Sequence, residues 1–266
     1  MPSSQPLTVE ATMKPALTLL TALLLGSLSP AHADLVAHLR FDGDLKDAAG
    51  RHDGRPVDPK LSPSFAPGRF GRALVIEKTN AGIELADPSS IDFSRDFTIA
   101  TWINVGNYYA EMPVLFKGRA DLTAEPDKFF GLGIRDSLQV YGEGQGSWIA
   151  RFRTSNGLMP NDGQWHHIAM TYRAAQSPHF ALYVDGQGKD PSDKANSTGK
   201  DFVLKPDAPD SVLRIGCRAD GDTYRYVRAH LRGLIDELQI YDEALEAGDI
   251  RHLFEHPGST TKQRKA

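Results

Sequence analysis

Two sets of residues in this 266-residue chain are of the types that catalytic sites use. The first is His252, Glu255 and His256, which match the H-x-x-E-H pattern of inverted zinc-protease motifs. On a helix, this spacing would place both histidines on one face. Pro257 follows directly and cannot continue a helix, so we interpret the pattern as the frayed end of a terminal helix and not as a zinc site.

The second set is acidic, and glycoside hydrolysis requires paired carboxylates that face one cleft. Glu125 and Asp127 would share one face of a strand. Pro126 between them disfavours a central strand, and Phe129 stands where a third acid would follow. The remaining candidate acids are isolated in predicted loops: Glu111 and Glu143.

His166 and His167 are adjacent on a predicted strand, so their side chains point to opposite faces and cannot bind one metal ion together. Cys217 is the only cysteine, which excludes an internal disulfide and any multi-cysteine zinc site. We predict that Cys217 is buried as a small apolar residue.

The composition is that of a globular chain, with 40% hydrophobic and 24% charged residues. The 34 acidic and 30 basic residues give a net charge of −4. Nucleic-acid-binding domains normally present a basic surface, so we expect no nucleic-acid partner. The 24 glycines and 17 prolines indicate many turns, and therefore short strands more than long helices.

Residues 1–33 have the pattern of a secretory signal peptide. Lys14 precedes an apolar run over 16–28, and the triplet Ala31-His32-Ala33 is a small-x-small cleavage site. The run is too short to span a bilayer comfortably, so we expect no membrane span. We predict a secreted, periplasmic or extracellular chain that begins at Asp34. An uncleaved N-terminal anchor is the alternative.

From residue 34 onward, apolar side chains recur with a period of two. The stretch 97–105 alternates most clearly, with Phe97, Ile99 and Ile103 on one face and Trp102 on the other. Predicted strands cover 35–41, 73–76, 83–85, 97–105, 113–117, 129–134, 138–141, 148–152, 165–172, 180–184, 212–216 and 233–241, with Asp185-Gly186 as a hairpin turn.

This pattern predicts one all-β domain over 34–255, a two-sheet antiparallel jelly-roll sandwich. A single short C-terminal helix is expected near 246–254, where apolar residues have helical spacing. The tail 256–266 is polar and then basic, and it is predicted to be disordered.

Several segments together resemble the LamG-like jelly-roll domains of the concanavalin A-like lectin/glucanase superfamily. The resemblance follows family order over most of the chain, so its ordered motifs are specific to the fold although each alone is weak. The matching segments are FDG at 41–43, DAAGRHDG at 47–54, PGRFGRAL at 67–74, DFTIATWI at 96–103, GQWHHIAMTY at 163–172, LYVDG at 182–186, LRIG at 213–216 and GLIDELQIY at 233–241.

The resemblance implies a structural calcium ion. In LamG-like domains the first and last strands lie side by side and calcium often bridges them, and Asp42 and Asp236 stand at the matching positions. Calcium takes several carboxylate and carbonyl oxygens. Asp44 and Asp47 are alternative ligands. Without calcium, Asp42 would cap a turn and Asp236 would accept a hydrogen bond from the neighbouring strand.

Residues 108–146 depart from the family pattern, and 148–153 add a strand with a large aromatic residue and two arginines. Sugar rings stack on aromatic faces, while arginine fixes sugar hydroxyl groups. We therefore expect a ligand site at Trp148, Arg151, Arg153, Tyr108 and Tyr109. On a regular strand Trp148 and Arg151 lie on opposite faces, so a shared ligand requires a bulge or a Trp148 that precedes the strand.

The resemblance implies a secreted, non-catalytic carbohydrate-recognition module that binds a polysaccharide or glycoconjugate. The same fold serves many functions, so it does not by itself decide between them. Two alternatives stay open. One is a structural or adhesive extracellular domain without a small ligand. The other is a polysaccharide-active enzyme (glycoside hydrolase or lyase), which no motif supports.

Overall fold

The computed structural model describes residues 34–77, 81–107, 112–119, 129–135, 137–143, 149–154, 161–189, 201–206, 210–218 and 230–261. These ranges contain the following strands: β1 (Leu35–Leu39), β2 (Gly54–Pro56), β3 (Ser64–Pro67), β4 (Arg72–Ile76), β5 (Ile83–Leu85), β6 (Phe97–Asn104), β7 (Met112–Arg119), β8 (Phe130–Ile134), β9 (Leu138–Glu143), β10 (Ile149–Arg153), β11 (Trp165–Tyr172), β12 (Phe180–Val184), β13 (Gln187–Lys189), β14 (Ser211–Ile215) and β15 (Gly233–Tyr241). The α-helix is α1 (Ala247–Glu255).

The strands form two antiparallel sheets. The eight-stranded sheet has the order β13-β12-β11-β6-β15-β4-β3, and β1 also pairs with β15. The seven-stranded sheet has the order β10-β9-β8-β7-β14-β5-β2. This arrangement confirms the predicted two-sheet jelly roll, and the pairing of β1 with β15 places the first and last strands side by side.

The hydrophobic core lies between the sheets, and the strand period of two decides which side chains enter it. On β6, Phe97, Ile99 and Ile103 point inward and are at most 2% exposed. Trp102 points to the outer face and stacks on Phe254 of α1, with ring centroids 5.6 Å apart. Burying one such large apolar side chain stabilises the fold by about 1.5–3 kcal/mol.

The outer face of the eight-stranded sheet is covered by α1. Ile250 and Leu253 on the apolar side of the helix are buried against Tyr183 and Tyr241 of the sheet. The helix begins and ends within about one residue of its predicted position.

The chain continues over the same face after the helix. The Gln239 Nε2 amide donates to the carbonyl oxygen of Ser259 at 2.7 Å. The backbone N–H of Thr261 donates to the hydroxyl of Tyr241 at 3.3 Å. Side chains of β15 thus hydrogen-bond with the backbone of 256–261, a stretch whose composition alone is typical of a flexible tail.

Three short strands were not predicted: β2, β3 and β13. Their sequences, GRP, SFAP and QGK, hold glycine or proline and show no clear alternation. Each forms through its pairing with a neighbouring strand: β2 pairs with β5, β3 with β4 and β13 with β12. The hairpin turn at Asp185-Gly186 is confirmed, with φ values of 52° and 70°.

Cys217, the single cysteine of the chain, is buried, as predicted. In the ranges that the structure describes, no helix is long and apolar enough to cross a membrane.

Candidate functional site

The two sheets differ in what lies on their outer faces. The outer face of the eight-stranded sheet is occupied by α1 and by residues 256–261. The outer face of the seven-stranded sheet carries charged and aromatic side chains at positions where α1 does not reach. Polar and aromatic groups on a regular sheet are rigidly positioned, as a binding site requires.

A single row of register partners crosses the outer face of all seven strands. Antiparallel neighbours in register project to the same face of a sheet, so these positions form one line. Six strand spacings of about 4.8 Å make the line roughly 29 Å long. From β2 to β10 its members are Arg55, Glu84, Arg214, Phe116, Gly131, Tyr141 and Arg151.

The centre of the row is an aromatic floor, formed by Phe116, Phe129 and Tyr141. The Tyr141 ring lies directly against the backbone of β8, since a Cβ atom at Gly131 would lie 2.1 Å from it. Glycine usually weakens a strand, and here it permits this close approach. The three rings are buried, so they support the face and do not form its contact surface.

Arg218 lies over the aromatic floor, three residues after the end of β14. Its guanidinium carbon is 5.2 Å from the centroids of Phe129 and Tyr141 and 5.6 Å from that of Phe116. A guanidinium group at this distance from an aromatic face is attracted by the ring quadrupole. Arg218 is partly exposed, so the aromatic rings position a cation at the surface of this face.

Glu84 is the acidic member of the row. Its Oε2 accepts from Nε and Nη2 of Arg214 at 3.1 and 3.0 Å. Its Oε1 accepts from Arg55, whose side chain is 73% exposed. Both carboxylate oxygens are therefore engaged by arginines of the same row.

The ligand residues predicted from sequence lie at the β10 end of this face or outside the described residues. Tyr108, Tyr109 and Trp148 are outside them. Arg151 and Arg153 are on β10, in register with Tyr141 and Gln139, so both positions belong to the outer face. The described part of β10 starts at Ile149.

The predicted calcium ligands both contact the turn that joins β3 to β4. Asp42 Oδ1 accepts from the backbone N–H of Arg72 at 2.9 Å. Asp236 Oδ2 accepts from the backbone N–H of Phe70 at 2.9 Å. The two carboxylates thus hold different parts of one turn, next to the paired strands β1 and β15.

Asp236 is fully buried, and its Oδ1 has no hydrogen-bond partner among the described residues. Burial raises the pKa of Asp236 to about 7; the neighbouring Glu237 adds to the rise, although the N–H groups of Phe70 and Arg69 oppose it. In the described part of the chain no group of three or more His, Cys, Asp or Glu side chains could hold a metal ion. A cation here would therefore need backbone carbonyls and water besides the two aspartates.

Asp47 is not available as a calcium ligand. Its Oδ1 accepts from the N–H groups of His38 and Ala49, and its Oδ2 accepts from those of Arg51 and His52, at 2.7–3.0 Å. The hydrogen bonds to these two oxygens hold the 47–52 loop against β1. Burial opposes ionisation of Asp47, but the four donors outweigh it and lower its pKa.

The two adjacent histidines have separate surroundings, as their strand positions predict. His166 lies between Asp185 and Asp162, with Nδ1 2.9 Å and Nε2 3.2 Å from their carboxylates. His167 packs against Trp102 and Phe254 under α1. Both are therefore framework residues away from the row.

Residues 77–251 match the family model of the concanavalin A-like lectin/glucanases superfamily. The chain belongs to this superfamily. The matched region runs from the end of β4 into α1, so it contains every strand of the row except β2. A search of curated protein sequences finds no match.

Solved structures of this fold resemble the chain at low sequence identity. Domain 4 of AbnA, a GH43 extracellular arabinanase from Geobacillus stearothermophilus, in complex with arabinotriose, has a TM-score of 0.61 and 20% identity over 84% of this chain and 99% of that domain. The binding domain of Paraclostridial Mosquitocidal Protein 1 has a TM-score of 0.59 and 19% identity over 83% of this chain and 52% of that one.

The ligand-binding domain of botulinum neurotoxin serotype D, in complex with N-acetylneuraminic acid, has a TM-score of 0.56 and 13% identity. It is matched over 83% of this chain and 50% of that one. These similarities establish that the concanavalin A-like fold is shared.

Sequence reasoning did not find Arg218 or the aromatic floor. A signal was present in the stretch Phe130–Ile134, FGLGI, where glycines alternate with large apolar residues. Alternating glycines in a strand indicate that a ring or another backbone lies flat on that face. Which ring it is depends on the register of β9, which the local sequence does not specify.

Proposed function

We propose that this member of the concanavalin A-like superfamily is a secreted, non-catalytic carbohydrate-recognition domain that binds a polysaccharide or glycoconjugate on the outer face of the seven-stranded sheet. The observation that carries the proposal is the continuous row of register partners from Arg55 to Arg151. The buried aromatic floor and the buried Glu84–Arg214 pair hold this face rigid, while Arg55 and Arg218 are exposed enough to contact a chain-like polar ligand.

Three further observations support this location. The other outer face is occupied by α1 and the segment 256–261. Arg151 and Arg153 bring the β10 segment into register with the aromatic floor. Solved structures with the same fold include domains in complex with arabinotriose and with N-acetylneuraminic acid. We propose that Trp148, Tyr108 and Tyr109 add stacking surfaces at the β10 end.

Affinity electrophoresis in gels that contain neutral or anionic polysaccharides tests the proposal. We expect the chain from Asp34 onward to be retarded by at least one of them. Trp148→Ala and Arg151→Ala should each weaken the retardation at least about threefold, since a stacked ring or a charge-assisted hydrogen bond contributes on the order of 1 kcal/mol or more. Arg251→Ala, an exposed change on α1, is the control and should bind as wild type.

Unchanged binding by both Trp148→Ala and Arg151→Ala would place the ligand elsewhere. Release of reducing ends from a retained polysaccharide would favour the enzymatic alternative instead. For secretion, we expect N-terminal sequencing of exported protein to start at Asp34. A start before Ala31 would contradict the proposed cleavage site.

We further propose that calcium binds Asp42 and Asp236 and fixes the β3–β4 turn to the paired strands β1 and β15. The unpartnered, fully buried Oδ1 of Asp236 supports this, because a buried carboxylate without compensation is unfavourable and a divalent cation would offset its charge. The close contacts of Gly68 and Gly71 with these carboxylates keep the turn near them.

Removing calcium with a chelator is expected to lower the melting temperature. At a calcium concentration one hundred times Kd, binding to the native state adds about 2.7 kcal/mol. For a domain of this size that corresponds to roughly 5–10 °C. Asp236→Asn and Asp42→Asn should each abolish most of the calcium response, whereas Asp58→Asn, which caps only its own turn, should retain it. A melting temperature that chelator does not change would contradict the calcium proposal.

A further inference from the structure

Arg218 has no counter-ion among the residues that the structure describes. It stacks over three aromatic rings, yet among the described residues no carboxylate forms an ion pair with it. Its Nε is buried and has no hydrogen-bond partner there. Cation–π contacts of about 0.5–2 kcal/mol each hold the group in place, but they use the faces of the guanidinium plane and leave the N–H donors at its edge unsatisfied.

The surroundings of Arg218 concentrate positive charge. The whole chain has a net charge of −4. Glu84, the acid of the row, already has both oxygens engaged by Arg55 and Arg214. Among the described residues, the outer-face positions that carry arginine are Arg55, Arg214, Arg218, Arg151 and Arg153, against two glutamates, Glu84 and Glu143. Such an excess of one charge sign on one face attracts ligands of the opposite sign.

Gln139, which lies on the same strand and face as Tyr141, carries a second unsatisfied hydrogen-bond donor. Gln139 is 2% exposed and is in register with Arg153 on one side and Gly133 on the other. Its Nε2 amide is buried and has no partner among the described residues. A buried amide donor without an acceptor is unfavourable, so this face presents donors in excess of acceptors.

We infer that the ligand of this face is an acidic glycan, and that Arg218 binds its anionic oxygens through the edge of the guanidinium group. This inference rests on the proposed carbohydrate-binding function and adds the class of sugar. Arginine forms paired hydrogen bonds to planar or tetrahedral oxyanions, and such charge-assisted bonds are about twice as strong as neutral ones. Carboxylated and sulfated sugars share this chemistry.

Matched pairs of probes separate charge from sugar type. Polygalacturonate is compared with its methyl ester, and dextran sulfate is compared with dextran, with arabinan as a further neutral polysaccharide. We expect wild type to bind at least one anionic member at least about tenfold more tightly than its neutral counterpart, with an affinity that falls as salt rises. The preferred pair identifies a carboxylate or a sulfate as the anion.

Variants then assign the charge recognition to Arg218. Arg218→Gln should weaken binding of the preferred anionic probe at least about tenfold and reduce the difference between the paired probes. Arg218→Lys keeps the positive charge but lacks the planar, paired N–H donors of the guanidinium group. It should therefore recover only part of the wild-type affinity that Arg218→Gln loses. Arg95→Gln removes an exposed charge away from this face and should bind within about twofold of wild type.

The outcomes distinguish the inference from the function on which it rests. If a neutral polysaccharide binds as tightly as its charged counterpart, or Arg218→Gln binds the anionic probe as wild type does, the acidic-glycan inference is wrong while carbohydrate binding stands. If no probe of either kind binds, both fail. Because the paired probes are compared on wild type, the first test holds even if Arg218→Gln does not fold.

Discussion

Replacing Asp47 with alanine is expected to lower the free energy of unfolding by about 4 kcal/mol, because it leaves four backbone N–H groups without their acceptor. Those of His38 and His52 belong to buried residues, where water cannot replace the carboxylate. Each unsatisfied buried donor costs about 1–3 kcal/mol. For a domain of this size the melting temperature should fall by roughly 8–16 °C.

Urea unfolding of the variant measures this effect. Asp44→Ala is the matched control, since Asp44 is exposed in the same loop and accepts one local hydrogen bond from Lys46 at 3.1 Å. We expect the control to change stability by less than about 0.5 kcal/mol. An Asp47→Ala protein within 1 kcal/mol of wild type, at unchanged m-value, would show that the 47–52 loop does not depend on this carboxylate.

Protonation of His167 below pH 6.5 is expected to cost the protein stability that a variant without this histidine keeps. Burial lowers the pKa of His167 to about 4, and the carboxylate of Asp185 opposes this only in part. An unfolded histidine titrates near 6.5, so between pH 6.5 and 4 the unfolded state binds more protons than the native state. The contribution of His167 to stability therefore falls as pH falls through this window, by up to about 3 kcal/mol, whereas proton uptake by native Asp236, whose pKa is raised to about 7, acts in the opposite direction.

Unfolding free energies measured from pH 7 to pH 4 test the contribution of His167. His167→Phe keeps an aromatic ring against Trp102 and Phe254 and removes the titration. From pH 7 to pH 4 its unfolding free energy should increase relative to that of wild type by up to about 3 kcal/mol, whereas His252→Gln, on the exposed side of α1, should follow wild type across this range. Equal slopes for His167→Phe and wild type would contradict the assignment.

Alternation along single strands was sufficient to predict most of the fold. β6, β11, β12 and β15 lie within about one residue of the predicted bounds, because each buries one face of a long segment and the pattern is local. The short strands β2, β3 and β13 depend on pairing with β5, β4 and β12. Their own sequences show no clear alternation, so the local pattern did not predict them.

The candidate site was harder to predict, since it depends on register between distant strands. Glu84 and Arg214 form a hydrogen-bonded ion pair although 130 positions separate them in the sequence, and no local sequence pattern predicts this pair. Arg151 and Arg153 were selected because their segment departs from the family pattern, and register places both on the outer face. Arg218 comes shortly after a family motif, LRIG at 213–216. Nothing in that motif indicates that Arg218 lies over three aromatic rings.

Asp42 and Asp236 were selected by resemblance, and the contact of both carboxylates with one turn is visible only in the fold. For Asp47, the structure excludes a role that the sequence allowed. The sequence permitted it as a metal ligand, but four backbone donors occupy its oxygens.

The location of the glycan is measured most directly by an NMR titration of the isotopically labelled chain from Asp34 onward with an oligosaccharide of the retained polysaccharide. We predict that the backbone amide shifts that change on binding cluster on the outer face of the seven-stranded sheet, at Phe116, Gly131, Tyr141 and Arg218. Changes confined to the outer face of the eight-stranded sheet, at Trp102 and Ala169, or no changes at saturating oligosaccharide, would contradict carbohydrate recognition by the row.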